Sequence, residues 1–84
     1  MPKEVYDREE FKKIVEKADE CRVKESYRRI NGERRKVVKI KARTHRYLYT
    51  IVFDDYEEGI NYARSLKEIC RNLVIIDEHL KDKI

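Results

Sequence analysis

Eighty-four residues make one domain, within the usual range of about 50 to 250, and leave room for only a thin core. Charged residues are 45% of the chain and the formal net charge is +4. No apolar run approaches the roughly 18 residues of a membrane-spanning helix, and the opening MPKEVYDREE is too polar and acidic for a signal peptide, so the expected compartment is the cytoplasm.

Asp7 is placed to cap a first helix over residues 8–18. Glu10 follows at capping-box spacing, and Tyr6 is spaced to staple onto Phe11. Phe11, Ile14, Val15 and Ala18 repeat at the i, i+3, i+4, i+7 positions of one buried stripe.

Period-two alternation follows. Cys21, Val23, Ser26, Tyr27 and Ile30 are interleaved with Arg22, Lys24, Glu25, Arg28 and Arg29. Asn31-Gly32 then separates two extended runs. Asn-Gly supplies the positive φ angles of a type I′ turn, a strong hairpin signal. In the second run Val38, Ile40 and Ala42 face one side and Lys39, Lys41 and Arg43 the other, predicting one buried face and one cationic face.

Thr44-His45-Arg46 turns into a third strand over residues 47–53. It is β-branched and aromatic throughout, as a covered strand should be. Its inner face is undetermined, because Leu48, Thr50 and Val52 compete with Tyr47, Tyr49, Ile51 and Phe53.

Asp54 or Asp55 caps a second helix, and Glu57 and Glu58 suit the positive end of its dipole. Ile60, Ala63, Leu66, Cys70 and Leu73 form its apolar stripe, and Asn72 suits a left-handed terminus. Leu73 to Ile76 is a short apolar run suited to a strand on the sheet edge, and DEHLKDKI reads as a helical turn or a frayed tail. The expected fold is therefore α+β: helix, three-stranded antiparallel meander, helix and a short C-terminal edge strand. Both helices cover one sheet face, in a single domain over residues 1–84.

Little here supports catalysis. Ser26 and Ser65 have no neighbouring His and acid, and His45 and His79 make no zinc pattern. Gly32 and Gly59 stand alone, without a phosphate-cradling loop. Asp54-Asp55 reads as capping rather than metal ligation. Cys21 and Cys70 fit no zinc spacing, and the default reading is two buried free thiols; a disulfide between them would suit a hyperthermophile cytosol. No cofactor, metal or small-molecule substrate is expected.

Charge is concentrated. Residues 22–46 hold eleven Lys/Arg against two Asp/Glu, and the rest of the chain holds ten against fifteen. Such separation creates a positive field that steers polyanions. Lys and Arg contacts to phosphate dominate nucleic-acid affinity, and Tyr can stack on an unpaired base. Lys36, Lys39, Lys41, Arg43, Thr44, His45, Arg46 and Tyr47 are the candidate RNA-binding residues, although Tyr47 and Tyr49 also suit half-buried strand packing. Arg28, Arg29, Arg34, Arg35 and Lys36 flank the Asn-Gly turn as a candidate second contact to the same RNA. The chain has no Gln and only three Asn, which fits either a hot environment or a heavily charged binding role.

VKIKAR at 38–43, followed by RYLYTIVF at 46–53, resembles the archaeal and eukaryotic large-subunit ribosomal protein family thirty-eight, a small e-type family. The acid-capped helix from Asp55, with Ser65-Leu66-Lys67, and the Met-Pro-Lys start with Phe11 fit the same layout. The resemblance implies a small α+β protein on the large subunit, held to ribosomal RNA by its basic strands and by the turn before RYLYT. Those positions are Lys39, Lys41, Arg43, Thr44, His45, Arg46 and Tyr47, with neighbouring ribosomal proteins as further partners. The chain departs from the pattern in a longer first hairpin, around Tyr27 to Lys36, and in residues after Leu73. Two other readings compete. One is a stand-alone double-stranded-RNA module, against which the acidic start of the second helix argues. The other is a protein–protein adaptor using the edge strand.

Overall fold

The computed structural model describes residues 2–84, without the side chains of Pro2 and His79; the sequence readings of Met1 and of the His79 side chain lie outside it. The elements run β1 (Pro2–Glu4), α1 (Arg8–Lys17), β2 (Glu20–Ile30), β3 (Glu33–Arg43), β4 (Leu48–Phe53), α2 (Tyr56–Leu66), β5 (Leu73–Ile75) and α3 (Glu78–Lys81).

The expected meander forms, with β2–β3 and β3–β4 antiparallel. Asn31 at φ 51° and Gly32 at φ 80° supply the left-handed pair that the two-residue turn requires. Each end of the chain adds a parallel strand to one edge. β1 lies beside β4 and β5 beside β2, giving the order β1-β4-β3-β2-β5. The sheet is therefore mixed and five-stranded, where the sequence suggested three strands and an edge.

Register settles the inner face of β4. Tyr49, Ile51 and Phe53 sit opposite Ala42, Ile40 and Val38, and directly opposed residues share a face. Leu48, Thr50 and Val52 therefore join the cationic side. The core lies between the other face and the helices, built from Phe11, Val15 and Ala18, from Cys21, Val23, Val38, Ile40 and Ala42, and from Ile60, Ala63 and Leu66. Each large apolar side chain buried there contributes roughly 1.5–3 kcal/mol.

Some local expectations hold and others are corrected. Asp7 caps α1 by accepting from the Glu9 amide at 2.9 Å. Tyr6 is 83% exposed, so it does not staple onto Phe11; its hydroxyl instead donates to Glu4 at 2.9 Å. α2 starts behind Asp55, whose carboxylate accepts from the Glu57 and Glu58 amides. It ends at Leu66, so Cys70 and Leu73 lie past the helix although they continue its stripe. The Cys70 amide still reaches the Leu66 carbonyl at 2.8 Å, and Leu73 joins β5. Among the described non-glycine residues only Asn31 has positive φ, so Asn72 is not a left-handed terminus.

Cys21 and Cys70 form a disulfide, not two free thiols. The link ties β2 to the segment after α2, where the Cys21 amide also donates to the Asn72 carbonyl at 2.9 Å. The C-terminal segment is no frayed tail. Asp77 accepts from the Glu25 amide at 2.7 Å, and Leu80 is fully buried.

Candidate nucleic-acid interface

Alternation sends every second residue of β2, β3 and β4 away from the helices. On that open face Arg22 sits opposite Lys41 and Lys24 opposite Lys39, while Arg43 pairs with Glu20 on one side and Leu48 on the other. Two consecutive same-face rungs thus carry two cations each. Like charges directly opposed destabilise a sheet, and among the described residues only Glu20 answers them, 3.5 Å from Arg22. The face gains from any polyanion laid across it.

The ladder ends at a tightly closed turn. The Thr44 amide and hydroxyl both donate to the Tyr47 carbonyl, at 2.9 and 3.0 Å, and the Tyr47 amide donates back to the Thr44 hydroxyl at 3.1 Å. Thr44 is thus spent on the turn's shape. His45 and Arg46 are exposed at its tip. The turn stands between two open clefts. One, of about 480 Å3, is lined by Arg22, Lys41, Arg43, His45 and Arg46 on the sheet side. The other, of about 490 Å3, lies toward α1, where Lys13 and Lys17 face the same turn. Cations therefore flank the turn on both sides.

Tyr47 is half-buried. Its ring meets Tyr49 edge-on, centroids 5.9 Å apart, and carries the Lys3 ammonium 4.3 Å above it. It is a packed wall of the turn with one cation already in place.

Of the sequence candidates, Lys41, Arg43, Thr44, His45, Arg46 and Tyr47 come together at this end of the sheet, and Lys39 stands further along β3, opposite Lys24. Lys36 does not. It pairs with Tyr27 on the helix-side face of the hairpin, and its ammonium lies 3.2 Å from Glu25. The hydrogen bond to that carboxylate, and then its charge, raise the Lys36 pKa. Arg22 and Lys24 were missed, although their place in the alternation of the first strand carried the signal. Lys13 and Lys17 carried none, because their approach to the turn depends on how α1 crosses the sheet.

Among the described residues, no group of three or more His, Cys, Asp or Glu is arranged to hold a metal ion. No helix among the described residues is long and apolar enough to cross a membrane.

The profile of the Ribosomal L38e protein family matches residues 1–72. Over 74 residues the chain is 45% identical to the large ribosomal subunit protein eL38 of Aeropyrum pernix, covering 88% of this chain and 97% of that protein. The family match stops at Asn72, so β5 and α3 lie beyond it.

Proposed function

The chain belongs to the Ribosomal L38e protein family, and from that premise we propose that it is held in the large subunit by its open sheet face and the turn at 44–47. As a member it is a structural constituent of the large ribosomal subunit in the cytoplasm, associated with ribosomal RNA and ribosomal proteins, and not an enzyme.

The observation that carries the reading is the ladder of opposed cations, Arg22 with Lys41 and Lys24 with Lys39, running into the exposed His45 and Arg46. Lys39, Lys41 and Arg43 bind phosphates along the face, and His45 and Arg46 reach RNA at the tip. Thr44 and Tyr47 hold the tip in shape, with Tyr47 offering a ring edge to an unstacked base. Lys36, on the helix-side face beside Glu25, stands apart from this interface. Such a contact is salt-dependent, because it releases counterions. The 45% charged composition without Gln supports a hot cellular setting, archaeal like that of the relative from Aeropyrum pernix.

The stand-alone double-stranded-RNA reading is disfavoured. Modules of that kind bind with the start of their second helix, which here carries Asp55, Glu57 and Glu58. The test is sedimentation of tagged protein through a sucrose gradient. Wild type should co-migrate with large subunits, and Arg43→Glu combined with Arg46→Glu should stay at the top while keeping its fold. Unchanged co-migration of the double variant would refute the proposed interface.

A further inference from the structure

The distal half of the β2–β3 hairpin leaves the body of the protein. From Tyr27 to Lys36 all residues are exposed except the half-buried Ile30. Register fixes where the cations of this arm point. Arg28 is opposite Arg35 and Arg29 is opposite Arg34. Opposed side chains share a face and successive ones alternate. Arg28 and Arg35 therefore project from the open-face side of the ribbon, and Arg29 and Arg34 from the other.

Two successive Arg–Arg rungs repel themselves, and the chain's own carboxylates relieve this little. Arg28 meets Asp54 at 3.4 Å and Arg35 meets Glu33 at 3.7 Å, all four side chains being more than half exposed; such pairs contribute little. The Arg34 guanidinium stacks 4.4 Å from the Tyr27 ring. Among the described residues Arg29 has no carboxylate partner. The arm is nonetheless regular to its tip, because Ile30 still pairs with Glu33 across the Asn31-Gly32 turn.

We propose that the arm is a two-sided phosphate clamp, with Arg28 and Arg35 on one RNA backbone and Arg29 and Arg34 on a second. It thereby lies between two phosphate walls of folded ribosomal RNA. The proposal rests on the RNA-bound reading above and deepens it. A single RNA surface calls for cations on one side of a ribbon only, whereas this ribbon carries an Arg pair on each. RNA is favoured over an acidic protein because the Arg28–Arg35 rung lies on the same face as the Arg22–Lys41 and Lys24–Lys39 rungs, one neutral rung (Ser26–Val37) beyond them. Arg also offers bidentate phosphate contacts and stacking on bases.

The test is titration of the intact protein with its own refolded large-subunit ribosomal RNA over a range of KCl concentrations. The variants are Arg28→Gln with Arg35→Gln, Arg29→Gln with Arg34→Gln, and the Arg43/Arg46 pair as a separate control. Each arm pair should weaken binding at least about fivefold and reduce the slope of log K against log salt by about one to two, as losing one or two phosphate contacts does. An effect from only one arm pair would overturn the two-sided clamp. Two silent arm pairs, with a defective Arg43/Arg46 variant, would remove the arm's role and leave the sheet-face interface standing. Arm variants that bind RNA normally yet fail to join complete large subunits would assign the arm to a protein partner instead. Wild type that does not bind the RNA would overturn both readings. The substituted arginines are exposed, so the variants should keep the wild-type thermal unfolding profile.

Discussion

Gly59 and Val38 are in direct contact, α2 lying on β3 so closely that a methyl group on Gly59 would come within 2.6 Å of the Val38 Cβ. The Val38 Cγ2 would be 2.8 Å away and the Phe53 Cβ 3.1 Å. Val38 sits mid-strand in the sheet and is fully buried, so it has nowhere to retreat. Gly59→Ala would gain about 1 kcal/mol of helix propensity, but overpacking costs about 1–3 kcal/mol and a contact this short belongs at the high end. The variant should be about 1–2 kcal/mol less stable in urea unfolding. A gain in stability would show that α2 lifts off the sheet without cost.

The Cys21–Cys70 disulfide spans 49 positions. Closing a loop of that size restricts the unfolded chain and typically stabilises by about 2–4 kcal/mol. Adding reductant should lower the urea midpoint accordingly, and a Cys70→Ala variant should show no response to reductant. Identical midpoints for wild type with and without reductant would deny the link any role in stability.

Asp77 fastens the C-terminal segment to β2 through the Glu25 amide, 2.7 Å away. Asp77→Ala leaves that half-buried donor without its partner, which costs about 1–3 kcal/mol. Amide exchange at residues 73–76 should accelerate while exchange in β3 stays slow. Equal exchange in variant and wild type would mean that β5 and Leu80 hold the segment unaided.

Burial, with the nearby Glu9 charge, pushes the Tyr62 phenol up to about 12. Its hydroxyl donates to the Arg8 carbonyl at 2.7 Å. The unfolded chain ionises this tyrosine near pH 10, so the unfolded state loses the proton first. The contribution is complete below pH 10 and is lost as pH rises from there through about 12. Ultraviolet titration should show a tyrosine ionising near pH 12 that is missing in Tyr62→Phe. If the late step survives that substitution, the assignment fails.

The parts of this molecule written in local pattern could be read directly. Phe11 and Val15 mark the buried side of α1, Asn31-Gly32 marks the turn, and Val38, Ile40 and Ala42 alternate with Lys39, Lys41 and Arg43. Asp54-Asp55 marks the start of α2, and the structure chooses Asp55 as the cap. What escaped depends on partners distant in sequence. Pro2–Glu4 is too short to show alternation, and it becomes a strand only because β4 offers it an edge. The inner side of β4 was unreadable because both of its sides are apolar or β-branched, and only pairing with β3 decides between them. The candidate interface divides in the same way. Its β3 cations were legible by period two, while the withdrawal of Lys36 toward Glu25 and the approach of Lys13 and Lys17 to the turn follow from packing.

The two ends of the chain meet the sheet as parallel strands, Pro2 finding Leu48 and Cys21 finding Leu73. Antiparallel β2, β3 and β4 zip together through short turns, whereas each outer strand must wait for a partner far along the chain, and the entropy of closing so long a loop comes first. During synthesis the N-terminal strand has no edge to join until β4 has emerged, and β2 stays open on its outer side until β5 follows. The meander is thus the natural nucleus and the two ends are its latest additions. A ribosome translating this protein holds it unfinished at least until β5 has emerged.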